Sequence, residues 1–239
     1  MSKKYRGKTC VYCGLEKTSS TADHVIARQF FGVADRGNQP KVPACEACNN
    51  AKSQLELYIL SVMPMGGLQK GVGDMILNQV KPRLSKNDAL RAALANGSRP
   101  RFFWNLETGW QEGMTLPFDG DKLAKLSTFI ARGLAWYHWG LQLAPVADMR
   151  ANMFSARGEE YWENAWNHPD FVDHIDAVLG SGVFQYRGAR SRKSPLVSLW
   201  QMSYFGGATL GDTAQRGESA RSIFVASQHR DNWPSAAAT

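Results

Sequence analysis

The sequence predicts an α+β fold, and three observations predict it. The first sixty or so residues carry two Cys-x-x-Cys pairs, Cys10/Cys13 and Cys45/Cys48, in a stretch too poor in apolar residues for an independent core. Between Asp121 and about Leu143, the residues Leu123, Leu126, Ile130, Leu134, Tyr137 and Leu141 recur at spacings of three and four, the period of one buried helix face. Val183 to Tyr186, Leu196 to Phe205 and Ser222 to Ala226 are rich in β-branched and aromatic residues and are separated by glycine and serine, so they read as strands of an antiparallel sheet.

In chain order, each cysteine pair belongs on a tight turn, with Gly14 following the first. Val25, Ile26, Phe30 and Phe31 are the buried candidates between the pairs, and Asn49 to Leu60 is helical, with Leu55, Ile59 and Leu60 on its inner face. The expected order is strand or hairpin, loop, then helix. Residues 61–100 read as a linker with short helices, the better one from Asp88 to Ala95. Arg101 to Leu106 and Gln111 to Leu116 form a hairpin across Glu107-Thr108-Gly109-Trp110. Asp119 or Asp121 caps the long helix. A second helical stretch is expected from Tyr161 to Leu179, interrupted at His168-Pro169, and residues 232–239 are expected to be a disordered tail. The chain therefore divides into a module at 1–60, a linker with short helices at 61–100, an α+β region at 101–231 and the tail.

With 239 residues and 44% hydrophobic content the chain can bury a real core. Lys plus Arg outnumber Asp plus Glu by 28 to 21, and a pI near 9.3 favours an anionic partner, nucleic acid before an acidic membrane surface. No apolar run approaches the roughly 18 residues that cross a bilayer, and the charged N-terminus leads into polar Gly7 to Cys13 instead of a signal-peptide core. A cytoplasmic protein with no membrane partner is expected. In a reducing compartment the paired cysteines are metal ligands before they are disulfides.

Four thiolates complete a tetrahedral zinc site and leave no position for a substrate, so this Zn²⁺ would be structural. The chemistry falls to Asp23, His24 and Asn49. Phosphodiester hydrolysis needs a base to activate water and a cation to stabilise the charge that develops on phosphorus-bound and leaving oxygens. A histidine with a pKa near 6.5 can be that base, while an aspartate carboxylate and an asparagine carbonyl are hard ligands suited to Mg²⁺ or Mn²⁺. Neighbouring strand residues point to opposite faces, so Asp23 and His24 can share a site only where the strand ends or bends.

These residues carry a resemblance. Cys10-Val11-Tyr12-Cys13, Asp23-His24-Val25-Ile26 and Val42-Pro43-Ala44-Cys45-Glu46-Ala47-Cys48-Asn49-Asn50-Ala51-Lys52 are together similar to the HNH endonucleases, the His-metal finger or ββα-metal nucleases, and among them to members braced by a four-cysteine zinc site. The resemblance covers roughly the first quarter of the chain. It implies an N-terminal zinc-braced ββα-metal finger in which His24 is the general base, Asp23 and Asn49 hold the catalytic divalent ion, and Cys10, Cys13, Cys45 and Cys48 hold zinc. It further implies hydrolysis of DNA, with RNA not excluded, to 3′-hydroxyl and 5′-phosphate ends. The chain departs from the family at Pro40, where an asparagine that orients the histidine is usual, and at Ala27, where proline is usual. A backbone carbonyl is the expected substitute for the missing asparagine.

Arg28 and Lys52 are candidates for phosphate contact beside this site. A second candidate surface is the span from Ala177 to Gly211, which has no acidic residue and contains Arg187, Arg190, Arg192 and Lys193. Lys3, Lys4, Arg6 and Lys8 precede the finger and can reach DNA beside it. Trp136-Tyr137-His138-Trp139 reads as core, and His168, His174 and His229 as structural or exposed. Small proteins of this kind often look like nuclease effectors of antiphage or restriction systems under the control of a regulatory subunit. The rival from another class is a non-catalytic zinc-dependent module that binds nucleic acid or protein.

Overall fold

The computed structural model describes residues 3–105, 108–154, 156–208, 210 and 220–232. It is a mixed α+β structure. Strand β1 (Thr21–His24) pairs antiparallel with β2 (Lys41–Ala44), with Asp23 opposite Val42 and His24 opposite Lys41. Helix α1 (Glu46–Val62) follows at once, and Cys45 begins it by accepting the Cys48 amide on its sulfur at 3.5 Å. The thiolate here does what a serine or aspartate does at other helix starts: it satisfies an amide the first turn leaves unpaired.

A π-helical turn (Ile76–Val80) joins α2 (Val72–Met75) to α3 (Lys81–Leu84), and α4 (Asp88–Gly97) is capped by the Asn87 side chain. A separate two-stranded ribbon, β3 (Arg99–Asn105) and β4 (Gly109–Thr115), leads to α5 (Gly120–Trp139). Asp119 caps α5 through the Lys122 amide at 3.1 Å, and left-handed Gly140 stops it short of the Leu143 that the periodicity suggests.

The remainder is a five-stranded antiparallel sheet in the order β5-β9-β8-β7-β6, formed by β5 (Ala147–Asn152), β6 (Phe171–Leu179), β7 (Phe184–Ser191), β8 (Ser198–Tyr204) and β9 (Ile223–His229). One expectation is corrected, and one strand was not foreseen. Only α6 (Ala156–Trp166) is helical in the segment read as a second helix, because the chain turns at His168-Pro169 and Phe171–Leu179 becomes the edge strand β6. Proline ends the helix, and Val172, Ile175 and Val178 then pair better in a sheet. Strand β5 carries no sequence signal strong enough to have been expected: Ala147–Asn152 alternates weakly and becomes a strand because β9 offers it an edge. Of the tail, Asn232 closes a short turn with Arg230, and residues 233–239 lie outside the described set.

One face of the sheet carries Trp200, Met202, Tyr204, Val225 and Ile223 against α5, where the Trp139 and Trp200 rings lie 4.8 Å apart and the Ser127 hydroxyl meets the Tyr204 hydroxyl at 2.9 Å. The opposite face packs Phe224 on Trp162 of α6 at 5.0 Å. On the α5 side, Trp200 lies flat over its cross-strand neighbour Gly188. A Cβ there would fall 2.3 Å from the Trp200 ring, so glycine is required.

The N-terminal layer joins this same core. Val25 lies close against Gly133 of α5, Phe31 fills the space over Gly180, and Phe30 stacks on Phe205 with centroids 5.5 Å apart. One continuous apolar cluster runs from Val11 and Ile26 through Leu126 and Leu134 to Trp200 and Val225. Among the described residues no helix is long and apolar enough to cross a membrane.

Candidate metal centre and adjoining polar cluster

The four cysteine sulfurs all lie within 4.8 Å of one another, and among the described residues they are the only such group of metal-ligating side chains. Tetrahedral coordination at 2.3 Å places thiolates about 3.8 Å apart, and Cys13 and Cys45 Sγ stand at 3.9 Å. The donor set and spacing fit a structural zinc. Two turns build the cluster: the Gly14 amide returns to the Cys10 carbonyl at 2.9 Å, and the Cys45 amide donates to Cys10 Sγ at 3.3 Å. Gly14 has φ +76°, and a Cβ would sit 2.5 Å from the Ala144 carbonyl oxygen, so only glycine closes this turn against the loop after α5.

That loop and α5 hold the first cysteine turn from outside. The Gln142 amide donates to the Cys10 and Val11 carbonyls at 3.2 and 3.3 Å, and Arg132 donates to the Tyr12 carbonyl at 3.2 Å. Zinc bound by four thiolates carries two net negative charges. Arg132, whose guanidinium pKa burial lowers and whose charge Cys48 and Cys13 favour, is the cation beside them.

Strand β1 ends at His24, and the chain bends at Val25 and Ile26, with the Val25 amide bonded to the Pro40 carbonyl at 2.9 Å. The bend follows the pair, and within β1 Asp23 and His24 still point to opposite faces. Asp23, 10% exposed at its side chain, faces inward with Val42; its Oδ2 accepts the Tyr12 hydroxyl at 2.6 Å and lies 3.1 Å from Lys52 Nζ. His24 faces outward with Lys41 and is half-buried. Burial lowers its pKa, with Lys41 and Arg28 adding to the effect and Asp23 opposing it, so the ring is neutral at physiological pH. Among the described residues nothing hydrogen-bonds the His24 ring. Pro40 instead bonds the backbone of the next residue, so the expected orienting carbonyl is not found at the imidazole.

Lys52 occupies a place no solvated phosphate ligand could. Its side chain is wholly buried, and its ammonium donates to the His24 carbonyl at 2.8 Å and to Glu56 while pairing with Asp23. Asn49, Lys52 and Glu56 fall at i, i+3 and i+7, which is one face of α1. Lys52 on that face touches Asp23 and the His24 carbonyl, and Asn49, half-buried, lies one turn earlier on the same face. Burial raises the Glu56 pKa against the pull of Lys52, and burial followed by the Asp23 charge raises the Tyr12 phenol well above its usual range. Sequence reasoning gave no role to Tyr12 and did not name Glu56. The Lys52-to-Glu56 spacing of four was the available signal.

The second candidate surface looks different in space. Arg187 is ion-paired to Glu163 of α6 and lies over the Trp166 ring at 5.0 Å, and Arg190 pairs with Asp173 at 2.5 Å. The partners come from α6 and β6, outside the acid-free span. Arg192 and Lys193 are exposed at the turn after β7, and Arg28 is exposed beside β1. The tetrad of aromatic residues at the end of α5 is only partly core: Tyr137 is 49% exposed, while Trp139 packs on Trp200 and His138 meets the Tyr186 hydroxyl at 3.0 Å. No protein-family model, curated protein or solved structure matches this chain.

Proposed function

We propose that this protein is a metal-dependent endonuclease of the HNH type, with His24 as general base and Asp23 and Asn49 as ligands of a catalytic divalent ion. The observation that supports this reading is the junction of β1 with α1, where Lys52 ties the Asp23-His24 pair to the helix face that carries Asn49, directly beside four clustered thiolates. The strand–strand–helix order and the bend after His24 agree with a ββα-metal finger.

Each residue then has a task. Tyr12 and Lys52 occupy one oxygen of Asp23 and fix its plane, leaving Oδ1 to face an ion. Asn49 offers its carbonyl from the first turns of α1. His24, kept neutral by burial and by neighbouring cations, can take the proton of an attacking water. Bound Mg²⁺ or Mn²⁺ would stabilise negative charge on the phosphorane and the leaving oxygen while keeping several water ligands. Arg28, exposed near His24, is the side chain best placed to meet a phosphate.

One observation favours the rival, a zinc-held binding module without catalysis. The Lys52 ammonium already stands 3.1 Å from Asp23, and a fixed cation there competes with a divalent ion for the same carboxylate. Replacing His24 with alanine separates the readings. The nuclease reading expects Mg²⁺-dependent cleavage by the wild type and at least a hundredfold less by His24→Ala, with zinc content and DNA affinity unchanged. Cleavage that survives the substitution removes His24 from the role of base.

A further inference from the structure

The β3–β4 ribbon stands apart from the hydrophobic core and is paired only with itself. One of its faces carries Phe102, Trp104, Trp110 and Met114, with relative exposures of 66%, 59%, 68% and 66%. Pro100 lies opposite Met114, Phe102 opposite Glu112, and Trp104 opposite Trp110, so these side chains form one continuous ladder on the same face. A row of large apolar groups in water is costly unless something covers it. Buried positions are few on the approach to the ribbon as well: in α4 Leu94 alone is buried.

Charge selects the occupant. Along the approach and the first strand, Lys81, Arg83, Lys86, Arg91, Arg99 and Arg101 stand against the single acid Asp88. Lys81, Lys86 and Arg99 are exposed, Arg91 pairs with Asp88 at 2.8 Å, and among the described residues Arg101 has no ion-pair partner; Arg99 and Arg101 lie on the ribbon's reverse face, and Glu112 is the one charge on the ring face. Exposed aromatic rings on a ribbon whose approach and reverse face are basic fit a polyanion that also offers flat apolar faces. Nucleic acid has both. Its bases must be unpaired, because in a duplex the faces that an indole could cover are already stacked on neighbouring bases. Trp104 and Trp110 meet edge to face, at 5.6 Å and 79°, an arrangement that leaves one face of an indole open.

We infer that the β3–β4 ribbon and its basic approach form a contact surface for single-stranded nucleic acid, with Trp104, Trp110 and Phe102 stacking on unpaired bases. What this implies for the substrate rests on the nuclease reading: the strand cut by the site around His24 would be single-stranded or locally opened. The binding itself does not depend on catalysis.

The test uses the whole 239-residue chain, zinc-loaded and without Mg²⁺, measuring anisotropy of a labelled single-stranded oligodeoxynucleotide and of the same sequence as a duplex. Trp104→Ala and Trp110→Ala are each expected to weaken single-strand binding about tenfold, and together more, with duplex affinity unchanged. Trp104→Phe should retain most of the affinity. The rings are exposed, so the unfolding midpoint should not move; a variant that unfolds early is replaced by Trp104→Gln. Single-strand affinity unaltered by the double substitution overturns the inference, as does a wild type that binds no single strand. If the double variant instead abolishes self-association seen by light scattering while DNA binding persists, the ribbon is an interface between copies and the inference fails. Binding as expected without cleavage at any Mg²⁺ concentration sinks the nuclease reading alone. Cleavage as expected with ring-independent binding sinks only the ribbon.

Discussion

Residues 3–62 and the five-stranded sheet share one hydrophobic core, yet different forces hold them. The sheet is built from alternation: β8 buries Ser198, Trp200, Met202 and Tyr204 on one face and leaves the intervening residues half-buried on the other. Its strands pair with their neighbours in sequence, apart from β5 at the β9 edge. The N-terminal layer has two four-residue strands and one helix, and its apolar side chains are buried mainly against α5 and the sheet. What is local to it is polar: four thiolates and the Tyr12–Asp23–Lys52–Glu56 cluster. The comparison teaches that a layer too thin to bury its own core can lean on a neighbouring core and draw on a thiolate set placed for a metal and on a charge network in place of hydrophobic area.

The largest expected effect tests the metal half of that contrast. Removing zinc with a chelator, or Cys45→Ser, should abolish the amide protection of β1, β2 and the start of α1, since structural zinc contributes on the order of 10 kcal/mol. Hydrogen exchange should show β7, β8 and β9 still protected. If the sheet loses protection together with the N-terminal layer, the two regions form one cooperative unit and the contrast is broken.

Next comes the charge network. Lys52→Met leaves Asp23 and Glu56 buried without their cation, and should cost about 3–5 kcal/mol in urea unfolding. The double variant Lys52→Met, Glu56→Leu should recover part of that loss, because it removes one of the two stranded carboxylates. A loss of only a few tenths would mean that Lys52 swings to solvent, and the phosphate role expected from sequence would return.

The smallest effect belongs to the sheet. Gly188→Ala places a methyl group 2.3 Å from the Trp200 ring and should cost about 1–3 kcal/mol through overpacking. Zinc affinity should be unchanged. A matching loss of zinc affinity would show that packing strain in the sheet reaches the cysteine cluster through α5, which would sharpen the coupling between the regions.

Much of the outline was legible in the chain. Cysteine spacing foretold the cluster, because a short turn and a helix start fix the two sulfurs of each pair locally, and contacts across more than thirty residues then join the pairs. The three-and-four repeat foretold α5, and Asp119 and Gly140 set its ends. Phe171–Leu179 misled, since a short run with valine and isoleucine fits helix or strand until a neighbouring edge chooses. Cation counts along the chain could not show the pairing for a similar reason. The span from Ala177 to Gly211 lacks acids, yet Arg187 and Arg190 find Glu163 and Asp173 across the sheet.

By itself, then, the sequence determined what depends on near neighbours along the chain: the thiolate set, the helix periods and caps, the alternation of the central strands, and the presence of Asp23, His24 and Asn49. Tertiary structure alone decided what those residues face. It buried Lys52 between Asp23 and Glu56, set Arg132 beside the thiolates, made a strand of Phe171–Leu179, and left the aromatic face of the β3–β4 ribbon uncovered. The physical reason is that burial and charge pairing depend on distance in space, and residues far apart in the chain supply the surroundings that set both.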